Sequence, residues 1–268
     1  MQTDPNNLLI VKNLSARIGR QVVLDDLSFD IDLGECVAIV GGSGAGKSTL
    51  LRCLMGLTRP ARPFHGRLSF DGIVRDFAAA QHHFRKPKGI AYVPQNPDHG
   101  FDPLKRLKWQ WCQAARTVTG SKNYTSSQQS LLEELGLGSF DGCFPHQWSR
   151  GMQQRLLLGM ALLGAPRLLI LDEPTSALDP LIAAQVLRSV RAYAEENEVA
   201  LLIVTHDLAL AAKYAARTAI MTTGQIVEFG ETSTLLSAPK TAYGKLLADH
   251  RNWSFSANRR RSVSVAAE

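Results

Sequence analysis

Residues Gly41-Gly42-Ser43-Gly44-Ala45-Gly46-Lys47-Ser48 place glycines around a hydroxyl and end in a lysine and a second hydroxyl. The string satisfies G-x-x-x-x-G-K-[ST], and it stands where that motif needs to stand, between an apolar strand-like run and a helix-forming run. Glycines leave successive backbone N–H groups free to close around an oxyanion, and a helix N-terminus behind them adds partial positive charge. In such a loop Lys47 reaches the β and γ phosphates of a nucleoside triphosphate, Ser48 offers its hydroxyl to Mg²⁺, and Thr49 adds a further phosphate contact. A plain glycine-rich turn has no use for the Lys-Ser pair.

A second set of reactive groups follows the run Leu168 to Leu171, where Asp172 and Glu173 stand together. Ligands of open parallel sheets bind beyond the C-terminal ends of the strands, which is where this pair falls. Two carboxylates there suit two jobs. Asp172 holds Mg²⁺ directly or through water, and Glu173 polarises the water that attacks the γ-phosphate in line. The duller reading is a helix N-terminus whose dipole favours acidic side chains. No metal set of the protein's own is expected, since Cys36, Cys53, Cys112 and Cys143 form no C-x-x-C pair. His82 and His83, among Arg85, Lys86 and Lys88, read as a solvated loop.

These groups need a scaffold. Leu8 to Val11, Val22 to Leu24 and the alternating Leu27, Phe29, Ile31 read as short strands broken by Gly19 and Gly34. The apolar run Cys36 to Val40 reads as a strand buried on both faces of a parallel sheet, and a helix begins near Lys47 and closes at Gly56 and Pro60. From about Asn96 to Gly164 the composition turns polar with helical spacing, as at Leu131, Leu132 and Leu135, which predicts an inserted helical subdomain. Beyond Pro166 the reading is strand (LLILD), helix (Leu181 to Ala194), strand (ALLIVTH), helix (Leu208 to Ala216) and a hairpin (TAIMTTGQIVEFGE). Alternation of this kind means a parallel α/β sheet.

The chain resembles the ABC ATPase family through motifs in the family's order. These are the phosphate loop, Gln95 in YVPQNP, Ser149-Arg150-Gly151-Met152-Gln153-Gln154-Arg155, the stretch LLILDEPTSALD, and His206 in IVTHD. The resemblance implies an α/β P-loop NTPase core with an antiparallel β-subdomain from the N-terminal strands and a helical subdomain at roughly 96–164. It implies that Gln95 contacts Mg²⁺ and the attacking water, and that His206 touches the γ-phosphate. Asp179 matches the loop that crosses between two subunits. Ser149 and Gly151 match residues that face the γ-phosphate bound by a partner subunit. Within the family the likeness is to importer ATPases for peptides, nickel and metal chelates, judged from PQNPDHGFDPL, FPHQWSRGMQQR and LLSAPKTAYGKLL. The absence of a Cys-rich extension leans toward the nickel or metal-chelate type. Ile18 stands where the family carries an aromatic that stacks on adenine, so that stacking is either weakened to apolar contact or replaced by Arg17 or Arg20 lying on the ring. Arg150 stands where the family carries a glycine.

The implied assembly has ATP and Mg²⁺ as ligands, a second ABC ATPase subunit, two transmembrane permease subunits and a solute-binding protein. Arg150 favours a paralogue as the second subunit, hence a heterodimer. The rival is a soluble ABC ATPase of translation, repair or iron-sulfur assembly. At 268 residues, 45% hydrophobic and 20% charged, the chain can bury one large core with an insert. The apolar stretch Leu156 to Ala165 stops at Pro166, short of the ~18 to 20 residues a membrane helix needs. The start MQTDPNNLL has no basic n-region, so the expected place is the cytoplasmic face of the inner membrane, peripherally held. A net charge of +6 permits anionic partners without choosing among them, and no nucleic acid is expected. Residues 251–268, with Arg259, Arg260 and Arg261 after Trp253 and Phe255, read as a basic, disordered tail beyond an ATP-binding domain at 1–250.

Overall fold

The computed structural model describes residues 6–57, 59–79, 87–120, 126–138, 140–176 and 178–249. The segment holding His82 and His83 and the tail at 251–268 lie outside the described residues. From the N-terminus run β1 (Asn7–Ile18), β2 (Gln21–Asp32), β3 (Cys36–Val40), α1 (Lys47–Leu54), β4 (Arg62–Phe70), β5 (Ile73–Asp76) and β6 (Ile90–Val93). Helices α2 (Leu107–Thr119), α3 (Ser126–Glu134) and α4 (Arg150–Leu162) follow. Then come β7 (Leu168–Asp172), α5 (Pro180–Glu196), β8 (Ala200–Thr205), α6 (Leu208–Tyr214), β9 (Arg217–Thr222), β10 (Gln225–Glu231) and α7 (Thr232–Ser237). Residues 242–249 are also helical.

Two compact units divide the chain. One gathers Met1–Leu8, Ile31–Glu35 and Phe84–Val204; the other gathers Leu9–Asp30, Cys36–His83 and Thr205–Glu268. In the first, β8, β7 and β6 run parallel side by side. Every residue of β7 and β8 is buried, as continuous apolar runs imply for strands covered on both faces. Helix α5 turns Ala183, Val186, Leu187, Val190 and Ala194 inward, an apolar stripe of helical period. Between β6 and β7 the described residues form helices and 3-10 turns joined by loops, with no strand. This stretch has an aromatic centre: Trp111 meets Phe140 at 6.1 Å and Phe140 meets Trp148 at 5.8 Å, both edge to face, the arrangement that ring quadrupoles favour.

In the second unit β3 pairs in parallel with β9, which turns back into antiparallel β10. A four-stranded antiparallel sheet follows the order β2-β1-β4-β5. Here the sequence reading is corrected, because β1 and β2 are 12 residues each rather than short broken runs. Gly19 and Gly34 do stand between strands, and the irregularities inside β1 and β2 fall at other residues. Asn13 and Asp26 take φ of 51° and 52°, a region that these short polar side chains tolerate. The Asn13 amide donates to the Asp26 carboxylate at 2.7 Å, and the Ser28 and Ser15 hydroxyls accept the Asn13 and Asp26 N–H groups. Only glycine suits the opposite strand, since a Cβ on Gly66 (φ 98°) would run into the backbone of Asn13 and Leu14.

Helix α1 buries Leu50, Leu51, Cys53 and Leu54. Burial pushes the Cys53 thiol up to about 12, so almost none is thiolate at neutral pH. The expected outcome is that iodoacetamide at pH 8 alkylates Cys112 and Cys143, both partly exposed, in the native protein while Cys53 stays unmodified until denaturant is added. Peptide mass spectrometry reads the difference, and rapid native labelling of Cys53 would contradict the packing of α1.

Candidate functional site

The phosphate-loop segment grows out of β3. Gly41 N–H donates to the Thr205 carbonyl at 3.4 Å, and a Cβ on Gly41 would collide with the Met221 carbonyl oxygen. Ser43 and Gly44 are exposed, and Ala45 is buried with its carbonyl accepting from Gly224 N–H at 2.9 Å. Gly46 takes φ 101° and lies so close to Met221 and Leu24 that a side chain has no room. Helix α1 therefore starts at a glycine, with no side-chain cap and no acid in its first turn. The first turn of a helix carries N–H groups without intrahelical partners and the positive end of its dipole. The Lys47 ammonium lies in the same loop, donating to the Gly41 carbonyl at 2.6 Å and the Gly42 carbonyl at 3.1 Å. Ser48 is exposed and Thr49 half-buried beside it. A cation, two hydroxyls and a helix N-terminus in one segment suit an anion.

His206 belongs to the same unit. It is exposed directly after Thr205, the residue whose carbonyl takes the Gly41 N–H. Asp207 fixes the turn, capping α6 at Ala209 and Leu210 while its own N–H donates to the Thr205 hydroxyl at 3.0 Å. The loop start and His206 are thus brought together.

The other unit carries the carboxylates. Asp172 ends β7 and is 8% exposed, and Glu173 follows at 7%. The Tyr92 hydroxyl, on neighbouring β6, donates to Asp172 Oδ2 at 3.0 Å. Glu173 adopts φ 47°; its N–H donates to the Val204 carbonyl at 2.8 Å, and its carbonyl accepts both the Ser176 N–H and hydroxyl. Parallel register sets Val93 against Leu171, so exposed Gln95 lies two residues past β6 at the same sheet end as the carboxylates. Of these residues, the structure brings Gln95, Asp172 and Glu173 to neighbouring strand ends.

Ser149 is the N-cap of α4, its oxygen accepting from Met152 N–H at 3.2 Å, which leaves the hydroxyl proton to donate elsewhere. Gly151 packs near Leu178, where a Cβ would sit 3.2 Å from that side chain. The Arg150 guanidinium reaches Asp98 at 3.8 Å with 67% of its side chain exposed, a pairing worth little in water. Buried Gln154 donates to the Pro94 carbonyl at 3.3 Å and so ties α4 to the residue before Gln95. Asp179 caps α5, accepting from Leu181 N–H at 2.9 Å. At the end of β1, Ile18 is 40% exposed, and the Arg17 guanidinium lies 5.3 Å from the centre of the Phe64 ring.

Three contributors escaped the sequence reading. Tyr92 stands in the quoted YVPQNP string and Gln154 in the quoted signature stretch, yet nothing local told what they touch. Tyr243 stands in the quoted LLSAPKTAYGKLL string, but nothing there told that its hydroxyl accepts the Gly42 N–H at 2.9 Å.

Comparison with known proteins gives the family and the fold. The family model described as ABC transporter matches residues 24–176, and one described as AAA domain, putative AbiEii toxin, Type IV TA system matches residues 143–212. The chain is 34% identical over 253 residues to the Dipeptide transport ATP-binding protein DppD of Escherichia coli (strain K12), covering 90% of this chain and 77% of that protein. It is 33% identical over 256 residues to the Oligopeptide transport ATP-binding protein OppD of Lactococcus lactis subsp. cremoris (strain SK11), covering 91% and 75%. Among solved structures, one described as the ATP binding subunit of an ABC transporter superposes with a TM-score of 0.70 at 30% identity, over 86% of this chain and 92% of that one. The ATP-binding cassette MJ0796, at 24% identity and a TM-score of 0.69 over 84% of this chain and 98% of that one, shares the fold. With a glycine cradle and its lysine on one segment and paired carboxylates at a buried strand end, the chain belongs to the ABC transporter family, as an ATP-binding subunit with ATPase chemistry.

Proposed function

We propose that this chain is the ATP-hydrolysing subunit of a peptide importer, working beside a second ATPase subunit, two transmembrane permease subunits and a solute-binding protein at the cytoplasmic face of the inner membrane. The observation that carries this reading is the uncapped start of α1, behind a glycine loop whose Lys47 ammonium rests on that loop's own carbonyls. A cation so held exchanges carbonyl oxygens for phosphate oxygens when a nucleotide enters. The relatives named for dipeptide and oligopeptide transport favour a peptide over nickel or a metal chelate as the solute. They also weigh against a soluble ATPase of translation, repair or iron-sulfur assembly.

In this reading Gly41 to Gly46, with Lys47, Ser48 and Thr49, cradle the phosphates. Glu173 orients the attacking water, Gln95 reaches toward it, and His206 faces the γ-phosphate. The donor set fits Mg²⁺ that arrives with ATP. Among the described residues no three His, Cys, Asp or Glu side chains cluster as a cage, and Mg²⁺ takes few protein ligands, keeping phosphate and water for the rest. Ser48 and Asp172 would hold it, Gln95 would contact it, and its chemistry is to neutralise charge on the phosphate oxygens. Ser149, Gly151 and Asp179 face the second ATPase subunit. The helices at roughly 96–164 form a subdomain, supported by their aromatic centre, and transmit closure of the ATPase pair to the permeases. Among the described residues no helix is long and apolar enough to cross a membrane.

Two outcomes test the chemistry. Glu173→Gln should retain ATP binding and slow hydrolysis by roughly two orders of magnitude or more, the scale of lost general-base help, whereas Lys47→Ala should weaken nucleotide binding itself. Turnover by the Glu173 variant near the parent rate, with its partners present, would remove the assigned role.

The second subunit is a paralogue, because Arg150 puts a long cation where a signature glycine would leave space. Its carboxylate neighbour Asp98 lies at 3.8 Å. Arg150→Gly is expected to change the ATPase rate of the reconstituted transporter, and purification of the native complex should yield one copy of this chain beside a different ATPase. Two copies of this chain in an active complex would overturn the heterodimer.

A further inference from the structure

Gly42 is held from both sides of its peptide unit. Its carbonyl accepts from the Lys47 ammonium at 3.1 Å and from Ala45 N–H at 3.3 Å, and its N–H donates to the Tyr243 hydroxyl at 2.9 Å. A Cβ at residue 42 would lie 3.2 Å from that same hydroxyl oxygen, so the tyrosine closes over the glycine backbone. Three of the four residues Gly41 to Gly44 are glycine, and glycine loses more backbone freedom on ordering than any other residue.

Tyr243 is itself firmly placed. Its helix, residues 242–249, starts behind Thr241, whose hydroxyl accepts from Gly244 N–H at 3.0 Å. The Glu228 carboxylate, on β10, accepts from Lys240 N–H at 3.0 Å, Thr241 N–H at 2.8 Å and the Thr241 hydroxyl. Gly244 is buried against Glu228, and any side chain there would strike that carboxylate. Burial raises the Glu228 carboxyl, but the three hydrogen bonds from Lys240 and Thr241 outweigh it and hold the group below its ordinary value. The clamp therefore persists at neutral pH. A carboxyl lowered in this way contributes stability above its unfolded value near ~4.3 and loses it as pH falls through the folded one.

We infer that Tyr243 is a positioning residue of the nucleotide site: anchored through Thr241 and Glu228, its hydroxyl fixes the Gly42 peptide and preorganises the phosphate loop for the triphosphate. The inference rests on the reading of Gly41 to Ser48 as an ATP cradle. Preorganisation raises affinity by removing an ordering penalty from the binding step. A neutral hydroxyl can do this without competing for the anion, because it takes up a backbone N–H and brings no negative charge. Tyr243 touches no reacting atom, so its removal should act on binding and leave the chemical step alone.

The test compares the full-length parent, Tyr243→Phe, which loses only the hydroxyl, and Glu228→Gln, which weakens the anchor. ATP and ADP affinities are titrated with a fluorescent nucleotide in competition, and steady-state hydrolysis gives KM and kcat. Tyr243→Phe should raise the ATP dissociation constant and KM roughly three- to tenfold, the range of one net hydrogen bond. Its kcat at saturating ATP should stay within about twofold, and its melting temperature without nucleotide should stay near the parent's. Glu228→Gln should move affinity the same way by less. Unchanged or tighter ATP binding by Tyr243→Phe would overturn the inference, as would a fall in kcat at constant KM, the mark of fewer folded molecules. A parent that binds no ATP, or binding indifferent to Lys47→Ala, would instead overturn the cradle reading and the inference with it.

Discussion

Each candidate site segment begins where the hydrogen-bond ladder of a buried parallel strand runs out. A strand covered on both faces cannot leave its last N–H and C=O groups to water, so the first residue past the strand is still tied down. Gly41 gives its N–H to Thr205, and Glu173 gives its N–H to Val204. That tie fixes direction and height before the chain turns, which is what chemistry at a phosphate demands of its neighbours. The cost of the arrangement shows at Glu173, where a residue with a Cβ stands at φ 47°, a conformation less favourable for an L-residue by about 1–2 kcal/mol. Ser176 offsets it with two hydrogen bonds to the same carbonyl.

Charge is distributed with the same logic. Helices α5 and α6 start on Asp179 and Asp207, whose carboxylates fill their first-turn donors. Helix α1 starts on glycine. An acid at that one position would occupy the donors that an incoming anion needs and repel it as well.

How much of this was legible followed from range along the chain. β3, β7 and β8 stood out because a doubly covered strand needs an unbroken apolar run, and CVAIV, LLILD and ALLIVT supply one. The phosphate loop and the carboxylate pair were legible for the same local reason. β1 and β2 read as fragments because their apolar runs are short, and only the cross-strand bonds of Asn13 and Asp26 show how each strand continues through the polar residues between those runs. The helix expected to reach Ala216 ends at Tyr214, since Ala215 is already extended. Tyr243 and Gly42 stand 201 residues apart, and no local pattern encodes a partner at that distance. Tyr92 and Gln154 were hidden likewise, for their partners Asp172 and Pro94 stand 80 and 60 residues away.

The pairing of β3 with β9 also orders events during synthesis. The antiparallel sheet β2-β1-β4-β5 draws all its strands from Asn7 to Asp76, so it can assemble while most of the chain is still unmade. β3 cannot, because its parallel neighbour spans Arg217–Thr222. Contacts of such long sequence separation close late, and domains mature on the ribosome in the order their parts emerge. In the proposed reading of Gly41 to Ser48 as the nucleotide cradle, the strand that leads into it is made early and paired late, once Arg217–Thr222 has emerged.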